Sequence, residues 1–536
     1  MALSVLLFLE VAAALGVGSV LYRIIYNLYL SPLKRFPGPL LYTATSIPFD
    51  IDSVRGNAVD VLTRLHDQYG PVVRVRPNEL SYIDGRVWKD VYGFRSHRQE
   101  WFKGDGLPYL NGVPGIAGSP KDLHRRYRRS LAHAFSNQGL QEQAPRILGH
   151  VDRLVKALAK HSQTGPVDMV QWFSWTTTDI IGDLAFGESF GCLETEQEHQ
   201  WTALTTKFLL PTLLVGILQQ WHMVLLAPVL LPRDIFEGFR SAGKEIAEKL
   251  RKRVSYGQNR GDFFDHLLKH GLIVEDKADF KETKEGQEGI TFDELESNAQ
   301  DLVFAGSETT ATLLTITIYL LLRNPHVLAK VTGLIRSVFS QDSEITVAST
   351  TPSALPYLDA VLQETIRIRD PVPTFAPRVA PKNGDTIDGA FIPEGTRVSC
   401  AKYVAHRSEL NFAKPYEFVP ERWLPLGKGK PEEFVNDNRH NVFQPFSFGP
   451  RNCIGMNLAK AEMHLILAKL LWHFDFSPPE AGSEEMSKWE SWSEGQKVIF
   501  LWVKPPMMVS IRPRQDLEVH GPDTSALSEQ SSQDPK

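Results

Sequence analysis

Residues 291–323, TFDELESNAQDLVFAGSETTATLLTITIYLLLR, constrain the fold more than any other stretch of this 536-residue chain. Thr291 and Glu294 form a T-x-x-E capping box, and the helical pattern then runs unbroken to Arg323, where Asn324-Pro325 ends it. A helix of that length extends about 50 Å. From Leu302 onward it is apolar on most faces, so it must run through the centre of whatever the chain folds into. Elements around it are also mostly helical. Ser119-Pro120 predicts an N-cap and first-turn proline for a basic helix, KDLHRRYRRSLAHAF. The apolar run FLLPTLLVGILQQWHMVLLAPVLLP within 203–232 looks long enough to span a bilayer. Pro211, Pro228, Gln219, Gln220 and His222 argue instead for buried or interfacial helices. TIDGAFIPEGTRVSC alternates and carries an Asp388-Gly389 turn, which predicts a small hairpin sheet. The expected fold class is mainly α with small β-sheets.

The ends of the chain differ from its body. Residues 1–22 carry a single charge, Glu10, and the basic residues Arg23, Lys34 and Arg35 all follow the apolar run. No positive region precedes it, so an uncleaved N-terminal transmembrane helix fits better than a cleaved signal peptide, and the body stays cytosolic. Residues 1–30 are read as this membrane anchor and 31–40, with Pro32, Pro37 and Pro39, as a stiff proline-rich hinge. Residues 41–514 are read as one domain, with a solvated loop at 274–290, and 515–536 as a polar, disordered tail. A formal charge of −5 argues against a nucleic-acid partner.

Three cysteines, Cys192, Cys400 and Cys453, lie too far apart for a zinc site or a disulfide framework. Cys453 stands in FSFGPRNCIG, just ahead of a helical run, where free N–H groups and the helix dipole favour a thiolate. Three roles compete for it: a buried structural cysteine, a nucleophile, and an axial thiolate to haem iron. Nucleophilic cysteines of the phosphatase type need a loop of backbone donors followed by an arginine. Here the arginine comes first.

F-x-x-G-x-R-x-C-x-G, from Phe446 to Gly455, is joined in order by AGSETT (305–310), ETIR (364–367) and FVPERW (418–423). Together these motifs resemble the cytochrome P-450 family over nearly the whole body. The resemblance implies the cytochrome P-450 fold and haem b held by Cys453, with Phe446 beside it. It also implies that Ala305 and Gly306 leave room for oxygen; a mid-helix glycine is otherwise a close helix contact. Thr309 and Glu308 would carry the catalytic proton traffic. His124, Arg128, Arg378 and Arg451 would meet the haem propionates, and Glu364, Arg367 and Arg422 would form a structural network.

The implied reaction is insertion of one oxygen atom from O2 into a hydrophobic small molecule. NADPH–cytochrome P-450 reductase would be the electron donor, at the endoplasmic reticulum membrane. The chain is most similar in style to filamentous-fungal members of polyketide, terpenoid or alkaloid pathways. An isomerase, dehydratase or peroxide-using enzyme of the same fold, or a haem sensor, are the alternatives.

Overall fold

The computed structural model describes residues 2–95, 98–103, 111–257, 260–265, 289–374 and 377–514. The tail 515–536 and most of the loop 274–290 lie outside the described residues. Helix α1 (Ala2–Ile25) continues into a π-turn at Tyr26–Leu30. Within it, Glu10–Leu30 is long and apolar enough to cross a membrane, and no residue of that window is buried in the body of the protein. The hinge that follows is docked rather than free. Leu33 is buried, the Arg74 amide donates to the Pro37 carbonyl at 2.7 Å, and the Arg74 guanidinium reaches back to the Asn27 carbonyl at 2.9 Å. A buried arginine thus ties the proline-rich segment to the first strand.

Strands β1 (Val72–Arg76), β2 (Glu79–Tyr82), β3 (Phe102–Lys103) and β4 (Arg378–Val379) belong to one sheet. The hairpin β5 (Asp385–Ile387) and β6 (Ala390–Ile392) forms across Asp388 and Gly389, both with positive φ, as a type I′ turn demands. The rest of that segment, β7 (Arg397–Cys400), leaves the hairpin and completes the first sheet in the order β1-β2-β7-β4-β3.

The helical body begins with α2 (Lys121–Leu131), α3 (Asn137–His161), α4 (Met169–Phe186), α5 (Gln200–Gln220) and α6 (Arg233–Ser255). Pro120 occupies the N-cap of α2, and Ser119 does not cap it. The Ser119 hydroxyl is buried without a partner, and the helix stops four residues short of Phe135. Helix α5 runs straight through Pro211 and is followed by an exposed apolar edge that includes Leu225 and Val229.

Helix α7 (Phe292–Arg323) has both halves of its Thr291/Glu294 capping box in place and is buried along most of its length. It packs on α4 so closely that a Cβ on Gly306 would stand 2.8 Å from Ile181 Cδ1. Gly306 is therefore needed for helix contact, and its other side borders the central cavity.

Helix α8 (Pro356–Ile368) carries the buried Glu364, and α9 (Met456–His473) follows the cysteine loop. Glu364 accepts from Arg367 at 2.9 and 2.8 Å, from Arg422 at 3.0 Å, from the Trp423 indole at 2.8 Å and from the Val419 amide at 2.9 Å. Arg422 also pairs with Asp437. All four charged groups are sealed from water, so removing the central anion leaves two guanidinium groups short of a partner. Glu364→Gln is expected to cost about 3–5 kcal/mol in urea unfolding; a loss under about 1 kcal/mol would contradict this role.

Candidate active site

A cavity of about 350 Å³ lies between α7, α2 and residues 445–455. The loop that forms its floor is shaped by two positive-φ positions, Ser447 and Gly449. A side chain at Gly449 would strike the Tyr92 carbonyl, so this motif glycine permits close approach of the protein's own backbone. Gly455, by contrast, would bring a Cβ only into ordinary contact, 3.9 Å from the Phe135 ring and 4.0 Å from Cys453 Sγ. The Cys453 amide donates to the Phe446 carbonyl at 2.8 Å. Arg128 grips the loop from above, donating to both the carbonyl and the side-chain oxygen of Asn452 at 2.6 Å each.

Cys192 and Cys400 are buried, whereas the Cys453 side chain is accessible, and its access is onto this cavity. Deep placement pushes its thiol up. The Gly455 amide, which donates to the sulfur, and the cations of Arg128 and Lys402 oppose that shift. On binding a metal cation in the cavity this thiol would release its proton to solvent and ligate as the thiolate.

Basic groups gather at one side. His124 lines the cavity and is pushed down to about 3, by burial first and then by Arg451, Arg128, Lys103 and Arg378, so its ring is neutral. Arg378 is buried, stacks over the Tyr92 ring at 5.2 Å, and has no partner for its Nε among the described residues. Arg451 pairs with Glu100 and donates to the Ser119 carbonyl at 2.8 Å. Lys103, the last residue of β3, donates to the Ala117 carbonyl, and burial lowers it to about 8. An orphaned guanidinium donor and more buried cations than facing carboxylates suit an anionic ligand. A soft thiolate at one side of the cavity and carboxylate-binding donors at the rim fit haem.

Across the cavity, Ala305 and Thr309 face in from α7, and the Thr309 hydroxyl donates to the Ala305 carbonyl at 2.7 Å. Glu308 does not join them. Its carboxylate pairs with Lys504, from the segment after the strands Lys497–Ile499 and Leu501–Val503, and accepts from Thr312 at 3.0 Å. Lys504 also donates to Thr312 at 2.6 Å. This lysine stands in LWVKPPMMV, and its only local signal is to be a lone charge in an apolar run.

Asp301 and Glu462 also line the cavity and escaped the motif search. Their signal was subtle: each is an acid at a helical position whose neighbours one turn away face inward.

The model of the cytochrome P-450 family matches residues 37–508. The chain belongs to the cytochrome P-450 family. Averantin hydroxylase of Dothistroma septosporum is 40% identical to this cytochrome P-450 over 508 residues, covering 93% of this chain and 91% of the relative. Trichothecene C-4 hydroxylase of Trichoderma arundinaceum is 39% identical over 522 residues, covering 96% and 99%. Trichothecene C-15 hydroxylase of Fusarium sporotrichioides is 37% identical over 513 residues, covering 94% and 98%. The protein is thus a haem-thiolate monooxygenase of fungal secondary metabolism, a class that takes a small-molecule substrate and a redox partner.

Glu462 tests the burial of this cytochrome P-450's cavity wall. It has no ion pair or hydrogen bond among the described residues, and burial alone pushes its carboxyl up to about 8. The folded state therefore keeps a proton that the unfolded chain loses near the ordinary value, and stability falls as pH rises between them. Glu462→Gln should gain on the wild type by up to about 1.4 kcal/mol per pH unit from pH 5 to 8 in urea unfolding. A difference independent of pH would contradict the burial.

Proposed function

We propose that this cytochrome P-450 hydroxylates or epoxidises a hydrophobic small molecule of a fungal polyketide, terpenoid or alkaloid pathway, with Cys453 as the iron ligand and Thr309 as the proton donor. The observation that carries this reading is the pairing of an accessible cysteine sulfur with the Thr309 hydroxyl across one cavity. Bound there, haem supplies the oxygen chemistry, with dioxygen as oxidant and NADPH as the source of electrons. The apolar wall from α7 and α4, represented by Leu302, Leu313 and Ile181, excludes water and suits an apolar substrate. Relatives named for hydroxylating averantin and trichothecenes support this substrate class without choosing between skeletons.

Thr309 Oγ1 donates to a carbonyl of its own helix, so rotation about χ1 releases that proton towards the cavity without breaking the helix. Glu308 stands beside it in sequence but is held by Lys504 and Thr312, and it reaches the relay by exchanging those partners for a cavity-side donor. His124, Arg128, Arg378 and Arg451 orient the carboxylates at the haem edge. For Arg451 this role is shared with Glu100.

Electrons come from a separate NADPH–cytochrome P-450 reductase. The apolar window Glu10–Leu30 anchors the protein in the endoplasmic reticulum membrane, with Lys34 and Arg35 on the cytosolic side. The exposed edge containing Leu225 and Val229 gives the body a second contact with lipid.

Reconstitution with reductase, NADPH and dioxygen tests the proton role. In Thr309→Ala, the peroxide released per NADPH consumed should rise several-fold, with the reduced carbon-monoxide spectrum unchanged. An unchanged ratio would remove Thr309 from the relay.

A further inference from the structure

Asp301 is a carboxylate of the cavity wall, set among apolar side chains and close enough to Lys103 to feel its charge. It lies on α7 one turn before Ala305 and two turns before Thr309, on the same face, and it is 7% exposed. The same cavity wall carries Ile116, Ile181 and Leu302. One oxygen, Oδ2, accepts from the Ala117 amide at 2.8 Å. That oxygen is tucked so tightly under the loop that a side chain at Gly115 would collide with it.

Holding the loop does not by itself call for an acid. One turn earlier, Asn298 performs the same task with an uncharged oxygen, accepting from the Ile116 amide at 3.0 Å. An asparagine at 301 could serve Ala117 equally well. Aspartate adds a second acceptor, Oδ1, which has no donor among the described residues and borders the cavity. Burial raises the Asp301 carboxyl to about 6, against the pull of the Ala117 amide and Lys103. An acceptor left unsatisfied beside apolar walls is costly, so its retention points to a donor that arrives with the ligand.

The surroundings decide what kind of donor. Lys103 pulls on Asp301 and is itself pushed by Arg378 and Arg451, so positive charge already faces this carboxylate. A cationic amine would be repelled there, whereas a neutral hydroxyl is not.

We propose that Asp301 Oδ1 anchors a hydroxyl group of the substrate, a phenol or alcohol on a rigid ring system. That hydroxyl sits about 6 Å along the α7 axis from Ala305 and about 12 Å from Thr309. The substrate therefore enters already bearing an oxygen substituent, supplied by an earlier hydroxylating or ring-forming step, and it is oxidised at a carbon remote from it. This inference rests on the haem seat described above.

The haem-loaded full chain is titrated with 1-phenylimidazole and with its 3-hydroxyphenyl and 4-hydroxyphenyl counterparts. Each probe binds iron through the azole nitrogen, and the Soret shift gives its Kd. At least one hydroxylated probe should bind the wild type about tenfold more tightly than 1-phenylimidazole. In Asp301→Asn, which keeps the acceptor for Ala117, that preference should fall to about threefold or less, and in Asp301→Leu it should vanish. Taking the ratio within each protein cancels any general loosening of the loop. An equal preference in all three proteins, or none in the wild type, overturns the anchor and leaves Oδ1 to water alone. Absence of any Soret shift with 1-phenylimidazole would instead remove the haem seat, and the anchor with it.

Discussion

Glu364 never touches the cavity, yet the cavity floor depends on it. Two arginines, an indole and a backbone amide converge on one carboxylate, and through Arg422 and Asp437 the network fixes the peptide leading into the cysteine loop. Every charge in it is paired inside the protein. The basic cluster at the cavity rim is arranged in the opposite way. His124 is forced neutral, Lys103 is depressed, and Arg378 keeps a donor without a partner. A closed polar network holds a fold together, while an open one is built for a ligand. Here the two stand on either side of the same loop.

Helix α7 links them. Its bare face at Gly306 is spent on contact with Ile181, and its cavity face presents a carboxylate, a small residue and a hydroxyl on successive turns at Asp301, Ala305 and Thr309. Glu308 takes a third direction, towards Lys504. On the proposed reading one helix would combine packing, ligand recognition and proton handling, because a 3.6-residue repeat sends neighbouring residues to different faces.

Features encoded by neighbours in sequence were legible in it. The Thr291/Glu294 box, the Asp388-Gly389 hairpin and the position of Cys453 just before a helix each need only a few adjacent residues, and each stands in the structure as read. Features that depend on distant partners were not. Ser119 has the chemistry of a cap, but its carbonyl is taken by Arg451 and its hydroxyl faces inward. Gly449 sits in a haem-binding motif, yet the surface it approaches is the Tyr92 carbonyl, far away in the chain. Likewise, the Glu308–Lys504 pair joins residues 196 positions apart, beyond the reach of any local pattern. The expected roles of Glu308 and Arg451 were read from motifs, and the structure adds the partners that modify them.

The central claim is that a thiolate from Cys453 meets iron at the floor of this cavity. The ferrous carbon-monoxide spectrum of the haem-loaded protein tests it most directly. The wild type should show the red-shifted Soret band of a thiolate-ligated haem, and Cys453→Ala should lose that band entirely. Persistence of the band in Cys453→Ala, or its absence from a fully haem-loaded wild type, would contradict the account.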